Sequence, residues 1–186
     1  MAKRKSKKNN QTRTILAVVL LVLSALTICS LFMPVFTSRL TSVIDSSNSV
    51  SNTVGTDVLT ACFNGSASSE FTSGANTLIA LKNSDDTAFV TAVFCWSYFL
   101  AIAASAGVLV TSILSLIKIR IKLLNLILGV ALLLLSVVAF IFALIVAGKF
   151  GYTGYLTAYK TSVSWSVYML IAGFIAGCAE IYSTNV

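Results

Sequence analysis

The sequence predicts an all-α membrane protein, a four-transmembrane-helix bundle with a small antiparallel β cap in its first outer loop. Three observations predict it. Of the 186 residues, 57% are hydrophobic and only 10% charged, against about 25% charged in ordinary soluble domains. Four apolar runs each supply the ~20 residues that a helix needs to cross a ~30 Å hydrocarbon core without unsatisfied backbone groups. The basic residues, finally, gather on one side of those runs.

Span 1 covers about residues 15–36 and contains the single proline, Pro34, where the helix should bend or end. Its apolar run exceeds the ~7–15 residues of a signal peptide, so a retained anchor is expected. A lipoprotein site at Cys29 is disfavoured because Ile28 stands where such sites take a small residue. Spans 2 and 3, about 89–117 and 123–148, are joined by the hairpin 118–122 and must be antiparallel neighbours. Span 4 covers about 163–182. Residues 15–186 thus form a single membrane domain after a basic leader, 1–14.

Orientation follows from charge, because short loops rich in Lys and Arg stay in the cytoplasm. The leader carries Lys3, Arg4, Lys5, Lys7, Lys8 and Arg13 and the hairpin carries Lys118, Arg120 and Lys122; the other side holds Arg39, Lys82, Lys149 and Lys160. Five of the six acidic residues, Asp45, Asp57, Glu70, Asp85 and Asp86, also fall on that other side. The reading is a multi-pass protein of the plasma or cytoplasmic membrane with both termini in the cytoplasm. The leader is polar and of low complexity, and is expected to be disordered. It serves either as the topology signal or as a contact for anionic lipid headgroups. With no aromatic residue among its lysines, specific nucleic-acid binding is not expected.

In the first outer loop, 37–88, the Ser/Asn-rich stretch 42–57 reads as flexible. Val58 to Phe63 and Thr77 to Leu81 read as strands, with Asn64-Gly65 as a hairpin turn; these build the expected β cap. The second outer loop, 149–162, places Tyr152, Tyr155 and Tyr159 at helical spacing. With Trp96, Tyr98, Trp165 and Tyr168 they read as an aromatic belt at the membrane boundary, or alternatively as a docking surface.

Reactive chemistry is sparse. Histidine is absent, so the commonest general base and metal ligand is missing. Cys29, Cys62, Cys95 and Cys178 form no CxxC pair, and no phosphate loop or nucleophile elbow occurs. No catalytic, metal or cofactor site is expected. Cys62 alone lies in the outer loop, and its one plausible disulfide partner is Cys95, about two turns into span 2. Glu180 is the one ionisable residue inside a span. Near the inner end of span 4 it reads as an ion-pair partner for Lys118, Arg120 and Lys122, with Asn125 as a hydrogen-bond partner, in preference to a transport site.

Helices associate in lipid through small and polar residues. Span 2 offers Ala103, Gly107, Thr111 and Ser115 at intervals of four, span 3 offers Ala139, Ala143 and Ala147, and span 4 offers Gly173 and Gly177. These stripes are explained by a left-handed four-helix bundle, or, for Gly173 and Gly177, by self-association. Four spans, inward termini, a longer first outer loop with a β cap and a short second one resemble the layout of claudin-like tetraspan proteins. That resemblance is one of topology alone. The W…GLW…C…C signature of that family's first loop is missing, since this loop has no tryptophan and one cysteine, Cys62; no residue role and no barrier function carries over. The leading functional expectation is a non-enzymatic accessory or scaffold subunit that binds other membrane proteins or itself. A small channel or transporter subunit is the alternative, motivated by Ser97, Ser105, Thr111, Ser112 and Ser115 of span 2.

Overall fold

A computed structural model describes residues 2–42, 48–119, 121–149, 152–153 and 157–184. Four helices dominate it: α1 (Ala2–Cys29), α4 (Ala88–Leu116), α5 (Lys122–Lys149) and α6 (Trp165–Ser183). Each contains a stretch long and apolar enough to cross a membrane, in α1 from Gln11 onward. The expected four-helix membrane bundle is therefore present. Helix α1 packs on α4 and α6, and α5 packs on the same two, so the four close into a ring.

Two ends differ from the sequence reading. The leader is helical back to Ala2, not disordered. Lys, Arg and Gln are good helix formers, and extending an existing helix costs far less than nucleating one. At its other end α1 stops at Cys29, and a 3₁₀ turn, Ser30–Phe32, leads to Pro34. The residue before a proline avoids the α region, and Met33 is accordingly extended, with φ −102° and ψ 156°.

Pro34 opens a strand. The chain forms a four-stranded antiparallel sheet, ordered β2-β1-β4-β3, from β1 (Pro34–Ser42), β2 (Asn48–Val54), β3 (Tyr152–Thr153) and β4 (Thr157–Val163). Strand β1 pairs with β2 within the first loop and with β4 from the second, which ties the exit of α1 to the entry of α6. Val35 is the extra residue of a bulge between Pro34 and Phe36; its carbonyl accepts from Ser164 N–H at 2.9 Å. The Ser38 and Thr161 hydroxyls, on register partners, bond at 2.9 Å, a cross-strand pair of the kind that stabilises sheets.

The β cap thus exists, but its strands are not the expected ones. Val58 to Phe63 belongs to helix α2 (Gly55–Phe63), and Thr77 to Leu81 to helix α3 (Ser73–Lys82). Short apolar runs are ambiguous between strand and helix, and the polar flanks decide here. The Asp57 carboxylate accepts from Val54 N–H at 2.9 Å at the start of α2, and Thr72 Oγ1 accepts from Ala75 N–H at 3.2 Å at the start of α3. Thr72 also donates to Asp57 at 2.6 Å, locking the two helix starts together. Asn64-Gly65 ends α2 where a hairpin turn was expected: Asn64 Nδ2 donates to Thr60 O at 2.8 Å. Of the stretch expected to be flexible, Asn48–Val54 is strand β2, while residues 43–47 lie outside the described ones.

Candidate functional site

Two polar clusters stand at opposite ends of the bundle interior. At the cap end, Tyr98 of α4 is fully buried, and its hydroxyl bonds to Ser30 Oγ at 2.9 Å and to Ser166 Oγ at 3.0 Å. Ser166 donates in turn to Ser30 O at 2.8 Å. One phenol therefore ties three spans at the point where α1 gives way to the sheet. Tyr98 is not part of an exposed belt, as the sequence reading had it; a buried phenol needs such partners. Gly55 seals the hub from above, because a Cβ there would lie 2.6 Å from both the Tyr98 hydroxyl and Leu31 Cα.

At the hairpin end stands Glu180, 1% exposed. Thr111 Oγ1 donates to Glu180 Oε1 at 3.3 Å, and Ser183 Oγ donates to Glu180 O at 2.7 Å. Glu180 borders a cavity of about 10 Å³, room for roughly one water. The other polar residues around it are Arg13 of α1, Thr111, Ser112 and Ser115 of α4, Asn125 of α5 and Ser183 of α6, so every span contributes. A carboxylate at this depth requires a counter-charge or several hydrogen bonds, and the guanidinium-bearing wall is Arg13. Lys118 and Lys122 are exposed and do not border the cavity; Arg120 lies outside the described residues. Lys118 instead turns the hairpin, with φ 67°, a left-handed backbone uncommon outside glycine. Pairing by charge count could not foresee Arg13 at this cavity, because that placement needs the full ring of helices.

The small-residue stripes are placed unevenly. Gly173 and Gly177 are buried within the chain's own bundle: a Cβ on Gly173 would meet Ser136 Oγ at 2.6 Å and Thr27 Cγ2 at 3.2 Å, and one on Gly177 would meet Leu133 N at 2.7 Å and Gly129 O at 2.8 Å. Gly107 faces Leu128 of α5, and Thr111 is buried. Ala103 is exposed and Ser115 half-buried. Four residues advance a helix by more than one turn, so an interval-of-four stripe rotates off its face; the buried line of α4 is Ala101, Ala104, Ser105, Val108, Thr111 and Ser112. Ala139, Ala143 and Ala147 of α5 are all buried.

The span-2 hydroxyls face inward. Ser97 bonds to Phe94 O, and Thr111 and Ser112 to Val108 O, while Ser105 Oγ, with Thr91 and Ser136, is buried without a hydrogen-bond partner. Trp96 and Trp165 are exposed, at 44% and 73%. Trp96 stacks edge-on with Phe63 at 5.6 Å and Phe99 at 6.0 Å, and Trp165 with Tyr168 at 6.4 Å. Tyr152 and Tyr159 are strand residues and register partners across β3 and β4, not a helical row; Tyr155 lies outside the described residues.

Sequence reasoning named Cys95 as the one partner for Cys62, and the fold brings them together. Cys62 lies in the last turn of α2 and Cys95 on α4 beneath it, both buried in one apolar cluster. The neighbouring Cys95 thiol, together with the Lys82 charge, lowers the Cys62 pKa against the opposing pull of burial. Lys82 Nζ is held over the end of α2 by donating to Ala61 O and Asn64 O, where helix carbonyls leave partial negative charge. Among the described residues no group of three or more His, Cys, Asp or Glu could hold a metal ion. The chain matches no protein-family model and no curated protein.

Proposed function

We propose that the protein is a non-enzymatic accessory or scaffold subunit of the plasma or cytoplasmic membrane, with both termini and the hairpin in the cytoplasm and the cap outside. The observation that carries this reading is the division of labour between its surfaces. Gly129, Gly173 and Gly177 are committed to contacts inside the bundle, and the Ser97 and Ser112 hydroxyls bond to their own helix backbone. What the chain offers outward is an aromatic rim where cap meets bundle: Phe63 at 63%, Trp96 at 44% and Trp165 at 73% exposure. Large amphipathic aromatics both anchor at the membrane boundary and dominate protein contacts. The partner of this reading is the span and outer surface of another membrane protein, and the basic leader meets anionic headgroups.

The test is extraction from the native membrane into lipid nanodiscs, followed by mass and composition of the complex. Stoichiometric recovery with an unrelated membrane protein, lost on Trp96→Ala together with Phe63→Ala, is expected. A defined homo-oligomer that carries ion flux in liposomes would replace this reading with that of a channel subunit.

A further inference from the structure

We propose that Cys62 and Cys95 are a dithiol modification site that closes to an intramolecular disulfide by exchange with an external disulfide, stapling α2 of the cap to span α4. Four cysteines are present, and Cys29 and Cys178 are exposed on their helices, whereas Cys62 and Cys95 share one buried cluster with Val58, Ala61 and Phe94. Helices α2 and α4 pack directly on one another, and Cys95 lies close enough to Cys62 to shift its ionisation. Both are free in this structure.

The surroundings assign each thiol a task. Disulfide exchange begins with a thiolate. Lys82 Nζ donates to Ala61 O and Asn64 O on either side of Cys62, so its charge lies near that sulfur and favours the anion; Cys62 also retains 5% exposure, whereas Cys95 has none. Cys62 is therefore the attacking sulfur and Cys95 the resolving one. The Cys62 thiol releases its proton to solvent, and its sulfur attacks one sulfur of an external disulfide RSSR, forming a mixed disulfide and expelling RS⁻. Cys95 gives its proton to that RS⁻ and attacks the Cys62 sulfur, breaking the mixed disulfide and expelling the second RS⁻, which takes a proton from solvent. Two protein thiols are oxidised by two electrons in all, and RSSR is reduced to two RSH. Disulfides of this kind persist outside the cytoplasm, so operation in the cell rests on the orientation proposed above.

The experiment uses the full chain carrying Cys29→Ala and Cys178→Ala in lipid nanodiscs, treated with oxidised glutathione or left reduced. After unfolding, the reduced protein should take two maleimides, and the oxidised protein none, with an intact mass lower by two hydrogens and a higher melting temperature. With Cys95→Ser added, the reaction should stop at a glutathione adduct on Cys62. On the wild-type chain, a digest should yield the peptides around Cys62 and Cys95 linked, which keeps the test decisive if a variant fails to fold. Two maleimides after oxidation, or glutathione retained on Cys62 with Cys95 free, would overturn the proposal. Closure is read on purified protein, so a closed pair without any copurifying partner would sink the accessory reading alone, and an open pair beside a copurified partner would sink this one alone.

Discussion

Replacing Gly177 by Ala asks whether the small residues of α6 serve the bundle itself. The added Cβ would lie 2.7 Å from Leu133 N and 2.8 Å from Gly129 O, both backbone atoms of α5. Ordinary contact begins at 3.4 Å, so α5 and α6 must separate by about 0.7 Å at this point. These two helices share the most extensive contact between any pair of elements, and a gap of ~0.5–1 Å forfeits a quarter to a half of each affected dispersion contact. Overpacking of this kind costs about 1–3 kcal/mol, opposed by the ~1 kcal/mol gain in helix propensity of Ala over Gly. Gly148→Ala, on the same bundle with nothing within 4 Å of its Cβ, isolates that gain. Thermal unfolding in one detergent, followed by tryptophan fluorescence, should place Gly177→Ala below wild type and Gly148→Ala at or above it. Coincident melting curves for the two variants would refute the packing argument.

Gly173→Ala meets a side chain, Ser136 Oγ at 2.6 Å, instead of backbone; its destabilisation should be smaller and largely relieved by Ser136→Ala in a double-mutant cycle, whereas independent additive effects would contradict the contact. Tyr98→Phe removes the phenol that joins Ser30 and Ser166 and should cost about 1–2 kcal/mol in a denaturation series, with an unchanged midpoint counting against the hub. Glu180→Gln should lower thermal stability by about 1–3 kcal/mol through its contact with Thr111 and its place beside Arg13; loss of a transport activity with stability intact would contradict a structural role. Lys118→Gly should stabilise the hairpin by about 1 kcal/mol, since Lys118 holds φ 67°, and a lower melting temperature would show that the lysine side chain matters more than the backbone.

The spans were legible in the sequence because their cause is local. A bilayer demands ~20 apolar residues with every backbone group satisfied internally, and the runs before Pro34 and around the 118–122 hairpin declare this without reference to any other part of the chain. The nearest covalent limits were legible too: Pro34 ended the first helix within a few residues of the expected place. Strand identity was not. Strand β1 exists because β4, more than a hundred residues away in the chain, lies beside it in register from Phe36↔Val163 to Ser42↔Thr157, and its Ser/Thr-rich partners carry little apolar signal of their own. Conversely Val58 to Phe63 and Thr77 to Leu81 have apolar runs suited to strands, yet Asp57 and Thr72 cap them as helices through the Val54 and Ala75 N–H groups, and the meeting of the two helix starts adds the Thr72–Asp57 bond. The same distinction governs the polar sites. Composition identified Glu180 as the lone intramembrane carboxylate and Cys95 as the thiol within reach of Cys62. Only the closed ring of helices set Arg13 on the wall beside that carboxylate, turned Tyr98 inward onto Ser30 and Ser166, and laid α2 over α4 so that the two thiols share one buried cluster. Hydrophobic length is a property of one segment in its solvent, whereas a buried polar contact is a property of two segments that must first be brought together.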